Sequence, residues 1–206
     1  MITTLLLLSV IILLDLVVLS VDVLVLSIIL TLIVYKYERK TKYDYIIYSI
    51  ATMTALVSLF INIEVITSGL IAFSLFTLVM FTGVIPNTWI MSKKLKTYRS
   101  FYSILGFIFV LPHGFINLFV DQQINLFGIA SIVLMIPLFI TSFDIVRKEM
   151  KLEEWNKLQM LAYIIYPVLF IHIILVSDMY GKVIYSIMMT LYINNKLLKE
   201  FRKWKY

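Results

Sequence analysis

Of the 18 Lys and Arg residues, all but Lys182 fall in four short segments, residues 36–42, 93–99, 147–157 and 196–205, with long apolar runs between them. The intervening connections, around residues 64–68, 121–125 and 177–182, are short and otherwise lack basic side chains. Lys and Arg gather on the cytoplasmic side of membrane proteins, so this alternation predicts a chain that weaves through a bilayer. The spans read as roughly 16–35, 45–63, 69–91, 100–120, 125–146, 158–177 and 182–196. Seven crossings with every basic segment on one side predict a multi-pass protein of the cell (plasma or inner) membrane. Its N-terminus is outside and its C-terminus cytoplasmic.

Composition agrees with that layout. Hydrophobic residues make up 62% of the chain, and the mean hydropathy is +0.99, more apolar than a water-soluble fold tolerates. Runs this long, with six Gly and four Pro, predict an all-α integral membrane protein. A barrel would show short alternating segments instead. With no Cys, disulfides, thiolate catalysis, Cys-held zinc and iron–sulfur clusters are excluded. The net charge of +6 sits at the ends of spans, a pattern that reads as topology and gives no reason to expect nucleic acid as a partner. The first segment is unusual, because residues 2–35 are apolar apart from Asp15, Asp22 and small hydroxyl residues. That is about 50 Å of helix against a hydrocarbon core of about 30 Å. One long, tilted or bent helix is expected. Asp22 lies about 21 Å from the inner boundary. There it is either protonated or hydrogen-bonded against a neighbouring helix, or it serves a proton or cofactor-environment role.

The chain has only two His residues, His113 and His172, and both lie inside predicted spans. An imidazole in hydrocarbon needs a partner. Taken singly, each could hydrogen-bond a Ser or a backbone carbonyl. Their spacing from the basic segments points further. His113 lies about 21 Å beyond Arg99 and His172 about 22 Å beyond Lys157, on helices running in the same direction. Two imidazoles at one depth on separate helices have the geometry of axial haem ligands. Haem is preferred to a bare metal ion because it brings four nitrogens of its own. Gly106, two turns before His113, and Gly114 beside it would let a flat macrocycle approach the backbone. Pro112 and Pro167 each free a backbone acceptor and permit a bend near a histidine.

The run from Arg99 to His113, Arg-Ser-Phe-Tyr-Ser-Ile-Leu-Gly-Phe-Ile-Phe-Val-Leu-Pro-His, resembles the third helix of the ferric reductase-like transmembrane family, in particular its MsrQ (YedZ) type. Gly128-Ile-Ala-Ser131, Thr141-Ser142 and Arg147-Lys148 are similar to that family's fourth helix. Trp155-Asn-Lys-Leu158-Gln159, followed by Tyr163 and His172, resembles the opening of its next helix and its second ligand histidine. Thr67-Ser-Gly69, Ala72, Thr82 and Ile85-Pro86 are similar to its second helix. The resemblance covers residues 45–206. It implies a six-helix ferric reductase-like core, with residues 1–35 as one additional N-terminal helix. It also implies that His113 and His172 are the axial ligands of one b-type haem.

One position departs from the pattern. Gln159 stands where the family has a histidine, which removes the candidate ligand of a second, inner haem. The resemblance implies an electron-transfer subunit without a dehydrogenase domain of its own. It would be fed by a cytoplasmic flavin reductase or the quinol pool, with FMN or a quinone bridging near Arg99, Trp155 and Gln159. Electrons would leave to an extracytoplasmic acceptor such as a methionine sulfoxide reductase partner or ferric iron. The alternative is a transporter or structural membrane-assembly subunit on the same scaffold without haem, since fold alone does not fix function.

Overall fold

The computed structural model describes residues 23–36, 41–85 and 90–204. Asp15, Asp22, Pro86 and the first part of the expected N-terminal helix lie outside the described residues. The described chain is helical, with no strand among the described residues. In chain order it forms α1 (Val23–Lys36), α2 (Asp44–Val57), a short α3 (Glu64–Thr67), α4 (Leu70–Thr82) and α5 (Ile90–Phe115). There follow α6 (Leu126–Ile140), two short helices α7 (Asp144–Glu149) and α8 (Leu152–Gln159), then α9 (Ala162–Val176) and α10 (Met179–Trp204).

Two stretches, Ser92–Val120 and Leu152–Val176, are long and apolar enough to cross a membrane. The apolar helices α2, α4 and α6 are shorter, at 14, 13 and 15 residues. They are therefore about 20–23 Å long, below the roughly 30 Å of a hydrocarbon core. The expected spans 45–63, 69–91 and 125–146 thus correspond to helices that stop early. At α2 the chain leaves the helix at Ser58 through a turn. At α6 it breaks after Ile140, where the Thr141 and Ser142 hydroxyls turn back onto the carbonyls of Pro137 (2.8 Å) and Leu138 (2.6 Å). Helix α5 errs the other way and begins about ten residues before the expected span. Its Lys93, Lys94, Lys96 and Arg99 ride on the helix rather than in a loop, because Lys, Leu and Arg are good helix formers.

Helix α4 is the strut of the bundle, with every residue from Ile71 to Met80 buried. It packs against α1, α3 and α5, while α6 packs against α9 and α9 against α10. Serine hydroxyls lace α1 to α4: Ser27 donates to the Ser74 carbonyl (3.2 Å), and Ser74 reaches the Val23 carbonyl (3.4 Å). On the far side, Phe73 of α4 meets Phe170 of α9 and Tyr185 of α10 edge-on, at 5.8 and 5.6 Å. Lys199 of α10 donates to the Gly83 carbonyl at the end of α4. The outward faces of α2, α6, α9 and α10 are apolar and exposed, through residues such as Met53, Val133, Ile164 and Ile187.

Candidate functional site

His113 lies near the end of α5, directly after Pro112, and His172 lies in α9, five residues after Pro167. Proline removes one helical hydrogen bond near each histidine. Beyond His113 the chain runs into a π-helical segment, Ile116–Val120, in which the Asp121 amide donates to the Ile116 carbonyl at 2.9 Å. Such wide turns are frequent at functional sites.

The two rings lie in edge contact, with centroids 6.3 Å apart and planes at 63°. An imidazole nitrogen lies about 1.1 Å from its ring centre and about 2.0–2.1 Å from a coordinated transition metal. Two imidazoles on opposite faces of one ion therefore have centres about 6.2–6.4 Å apart. The observed separation falls in that interval.

The tautomer of His113 follows from its neighbours. Its Nδ1 is 2.9 Å from the Thr67 carbonyl oxygen, and a carbonyl can only accept. Nδ1 therefore carries the proton and donates, leaving the Nε2 lone pair for another partner. Asn117, one turn on, donates to the His113 carbonyl at 2.8 Å. His172 differs, since its Nδ1 is buried and has no hydrogen-bond partner among the described residues.

Glycines make room for both rings. Gly69 holds a left-handed φ of +81°, and a Cβ there would stand 3.2 Å from Cγ and Nδ1 of His113. A Cβ on Gly128 would stand 2.9 Å from Cε1 and 3.1 Å from Nδ1 of His172. Both glycines, with Gly114, line a cavity of about 1070 Å³ that contains both histidines. Its other walls are largely apolar, including Val23 of α1, Ala55 of α2, Phe73 of α4 and Tyr185 of α10. The lining also carries the amides of Asn117, Gln123 and Asn125. The backbone there is strained, with Gln122 at φ +52°.

Gly106 has a different role from the one expected. It is not among the cavity-lining residues. A Cβ there would meet the Phe76 ring at 2.9–3.1 Å, so its open face receives a side chain from α4 instead of a macrocycle. Phe76 then forms the floor of the cavity. Beneath it, Phe76, Phe107, Phe139 and Tyr166 close around a void of about 10 Å³, room for about one water.

Arg99, Trp155 and Gln159 also lie outside the cavity lining. Trp155 Nε1 donates to the Thr141 carbonyl at 3.3 Å, and Gln159 Nε2 reaches Thr141 Oγ1 at 3.4 Å. Arg147 lies over the Trp155 ring. Arg99 lies beside the Tyr166 hydroxyl. The structure thus splits the sequence-derived residues in two: the histidine pair at the cavity, and a polar cluster around Thr141 towards the basic end.

Sequence reasoning missed Gly69, Gly128 and Asn117 as cavity residues, and the Thr67 carbonyl as a partner. The available signal was the scarcity of glycine. Of six in the chain, three line this cavity. Comparison with family models, curated proteins and solved structures returns no match.

Among the described residues no group of three or more His, Cys, Asp and Glu could hold a bare metal ion. Two imidazoles this close in an apolar, glycine-lined cavity are a donor set that would hold one haem iron. His172 Nδ1 has no hydrogen-bond partner among the described residues, and leaving such a buried nitrogen unpaired costs about 1–3 kcal/mol.

Proposed function

We propose that this chain is a membrane-spanning, haem b-binding electron-transfer subunit of the ferric reductase-like, MsrQ (YedZ) type. Its core would have six helices, with the helix containing α1 added at the N-terminus. The observation that carries this reading is the 6.3 Å separation of the His113 and His172 ring centres. The apolar outward faces of α2, α6, α9 and α10 support a bilayer setting, because a soluble bundle would turn its polar faces out.

Bound haem supplies a one-electron couple. The chain's own residues do the rest. His113, oriented by the Thr67 carbonyl, and His172, seated against Gly128, present imidazoles from two helices. The Phe, Leu and Ile walls exclude water and favour a neutral ligand environment. The packed aromatic floor under the cavity supports one haem per chain, because a void of about 10 Å³ admits no second macrocycle.

With the C-terminus and the basic segments cytoplasmic, electrons enter from that side and leave outward. His113 lies about 21 Å along α5 from Arg99, so the incoming electron crosses most of the apolar layer. FMN or a quinone near Arg99, Trp155 and Gln159 is the proposed bridge, with a cytoplasmic flavin reductase or quinol as donor. The proposed acceptor is extracytoplasmic, of the methionine sulfoxide reductase or ferric-iron class. The test is to purify the full chain in detergent, add hemin, and measure haem per chain by pyridine haemochrome alongside the absorption spectrum. One haem per chain with a low-spin, six-coordinate spectrum is expected. A chain that takes up no hemin overturns the reading.

A further inference from the structure

The two histidines are held by unequal means. The His113 ring is held at two points, one of them on a pinned turn. Its Nδ1–H is donated to the Thr67 carbonyl at 2.9 Å. The turn that presents this carbonyl is itself pinned, since Thr67 Oγ1 lies 2.7 Å from Asn62 Oδ1 and 3.3 Å from the Ile63 carbonyl. Gly69, in the left-handed conformation, brings the backbone against the ring. His172 has none of this. It projects from an ordinary stretch of α9 between Ile171 and Ile173, its Nδ1 has no partner among the described residues, and only the flat face of Gly128 sits against its ring edge.

A hydrogen bond from Nδ1 to a carbonyl fixes the tautomer and raises the basicity of Nε2. Loss of such an outer partner typically weakens metal affinity by about 10–100-fold. The asymmetry therefore predicts a strong bond on the His113 side and a weak one on the His172 side. Dissociation of His172 has a second driving force, because a ring that swings away from the metal can find a partner for its orphaned nitrogen. The cavity lining near His172 includes Gly128, Ser131 and Ser177, and a hydroxyl oxygen there can accept from the freed ring.

We infer that, in the haem-bound protein proposed above, His113 is the permanent ligand and His172 an exchangeable one. The His172 face then forms a binding site for a small, neutral diatomic ligand of the carbon monoxide class. The exchange breaks one iron–nitrogen bond and forms one iron–carbon bond, with no electron transferred. A neutral diatomic enters an apolar cavity without the desolvation cost that keeps ions out.

The experiment uses the full chain in detergent, loaded with hemin, reduced with dithionite and exposed to carbon monoxide. Haem per chain, from pyridine haemochrome, is measured separately and tests the underlying reading. Ligation is read from the Soret band. Wild-type protein is expected to form a carbonyl adduct. His172→Ala is expected to keep hemin affinity within about tenfold of wild type and to bind carbon monoxide at least tenfold faster, because no imidazole competes. His113→Ala is expected to lose at least tenfold more affinity than His172→Ala. To separate ligation from misfolding, added imidazole is expected to return His172→Gly to the six-coordinate spectrum. Wild-type protein that holds one haem per chain but refuses carbon monoxide overturns the inference. So does loss of haem from His172→Ala as complete as from His113→Ala. A wild-type chain that binds no hemin overturns the haem reading and this inference with it.

Discussion

Gly128→Ala should separate cofactor geometry from fold stability, because its two effects have opposite signs. The new Cβ would stand 2.9 Å from His172 Cε1 and 3.1 Å from Nδ1. Ordinary carbon contacts lie at about 3.5–4.0 Å, so the ring must retreat by about 0.6 Å or more. Metal–ligand distances tolerate about 0.2 Å. On the haem-binding reading the displacement exceeds the tolerance about threefold, so His172 would no longer hold the iron while His113 would. Gly128 also lies in the first turn of α6, where exchanging Gly for Ala gains at most the roughly 0.5–1 kcal/mol of a helix interior. The haem-free variant should then melt no lower than wild type, and at most about 4 °C higher. Hemin titration should show affinity reduced by no more than about tenfold but a low-spin spectrum largely converted to high spin. Gly114→Ala is the control. Its Cβ also meets an atom at 2.8 Å, but that atom is Ile132 Cδ1, the mobile tip of a side chain that can turn aside. It should leave the spectrum unchanged. A fully low-spin Gly128→Ala protein, or one less stable without haem than wild type, would refute the reasoning.

Gln159→His should leave the ratio at one haem per chain, because the floor beneath the cavity encloses only about 10 Å³; a pyridine haemochrome ratio near two would contradict it. Gly69→Ala should be harsher than Gly128→Ala, since it adds about 1–2 kcal/mol of left-handed backbone strain to a contact with the His113 ring, and hemin affinity should fall more steeply in the same titration. Ser92→Ala should raise the melting temperature in detergent, because Ser92 Oγ is buried without a partner among the described residues and Ala removes a desolvation cost of about 1–3 kcal/mol; a lower melting point would show that the hydroxyl has a role. Reporter fusions at the C-terminus should report a cytoplasmic location, and an external signal would overturn the proposed topology.

The meeting of His113 and His172 was legible in the sequence because it needs only one-dimensional arithmetic. A fixed rise per residue, counted from two basic boundaries, gives two depths that agree to about one residue. Helical character was legible for the same reason, as a property of local runs. What lies around the rings was not. Thr67 is 46 residues from His113, and Gly128 meets His172 only because α6 packs on α9. Pattern within one helix cannot say which face of a different helix arrives. Gly106 shows the converse error. A glycine two turns from a ligand reads as space for a flat group, yet space beside a helix is filled by whatever neighbour is nearest, here Phe76. The helix limits moved for local reasons as well. Hydroxyls at Thr141 and Ser142 offer the backbone an alternative partner, which an apolar run does not reveal.

The complete burial of α4 from Ile71 to Met80 bears on how the molecule is made. On the membrane-spanning reading, this segment leaves the ribosome before α5, α6, α9 and α10 exist, so the helix that will touch no lipid in the finished protein spends its first moments without most of its neighbours. Its early companion is α1, already synthesised and tied to it through Ser27 and Ser74. The cavity closes later still, since His172 and Tyr185 are on the last two helices to emerge. On the haem-binding reading, insertion of the group would then follow translation, past a lining that includes the amides of Asn117, Gln123 and Asn125 beside the π-helical turn.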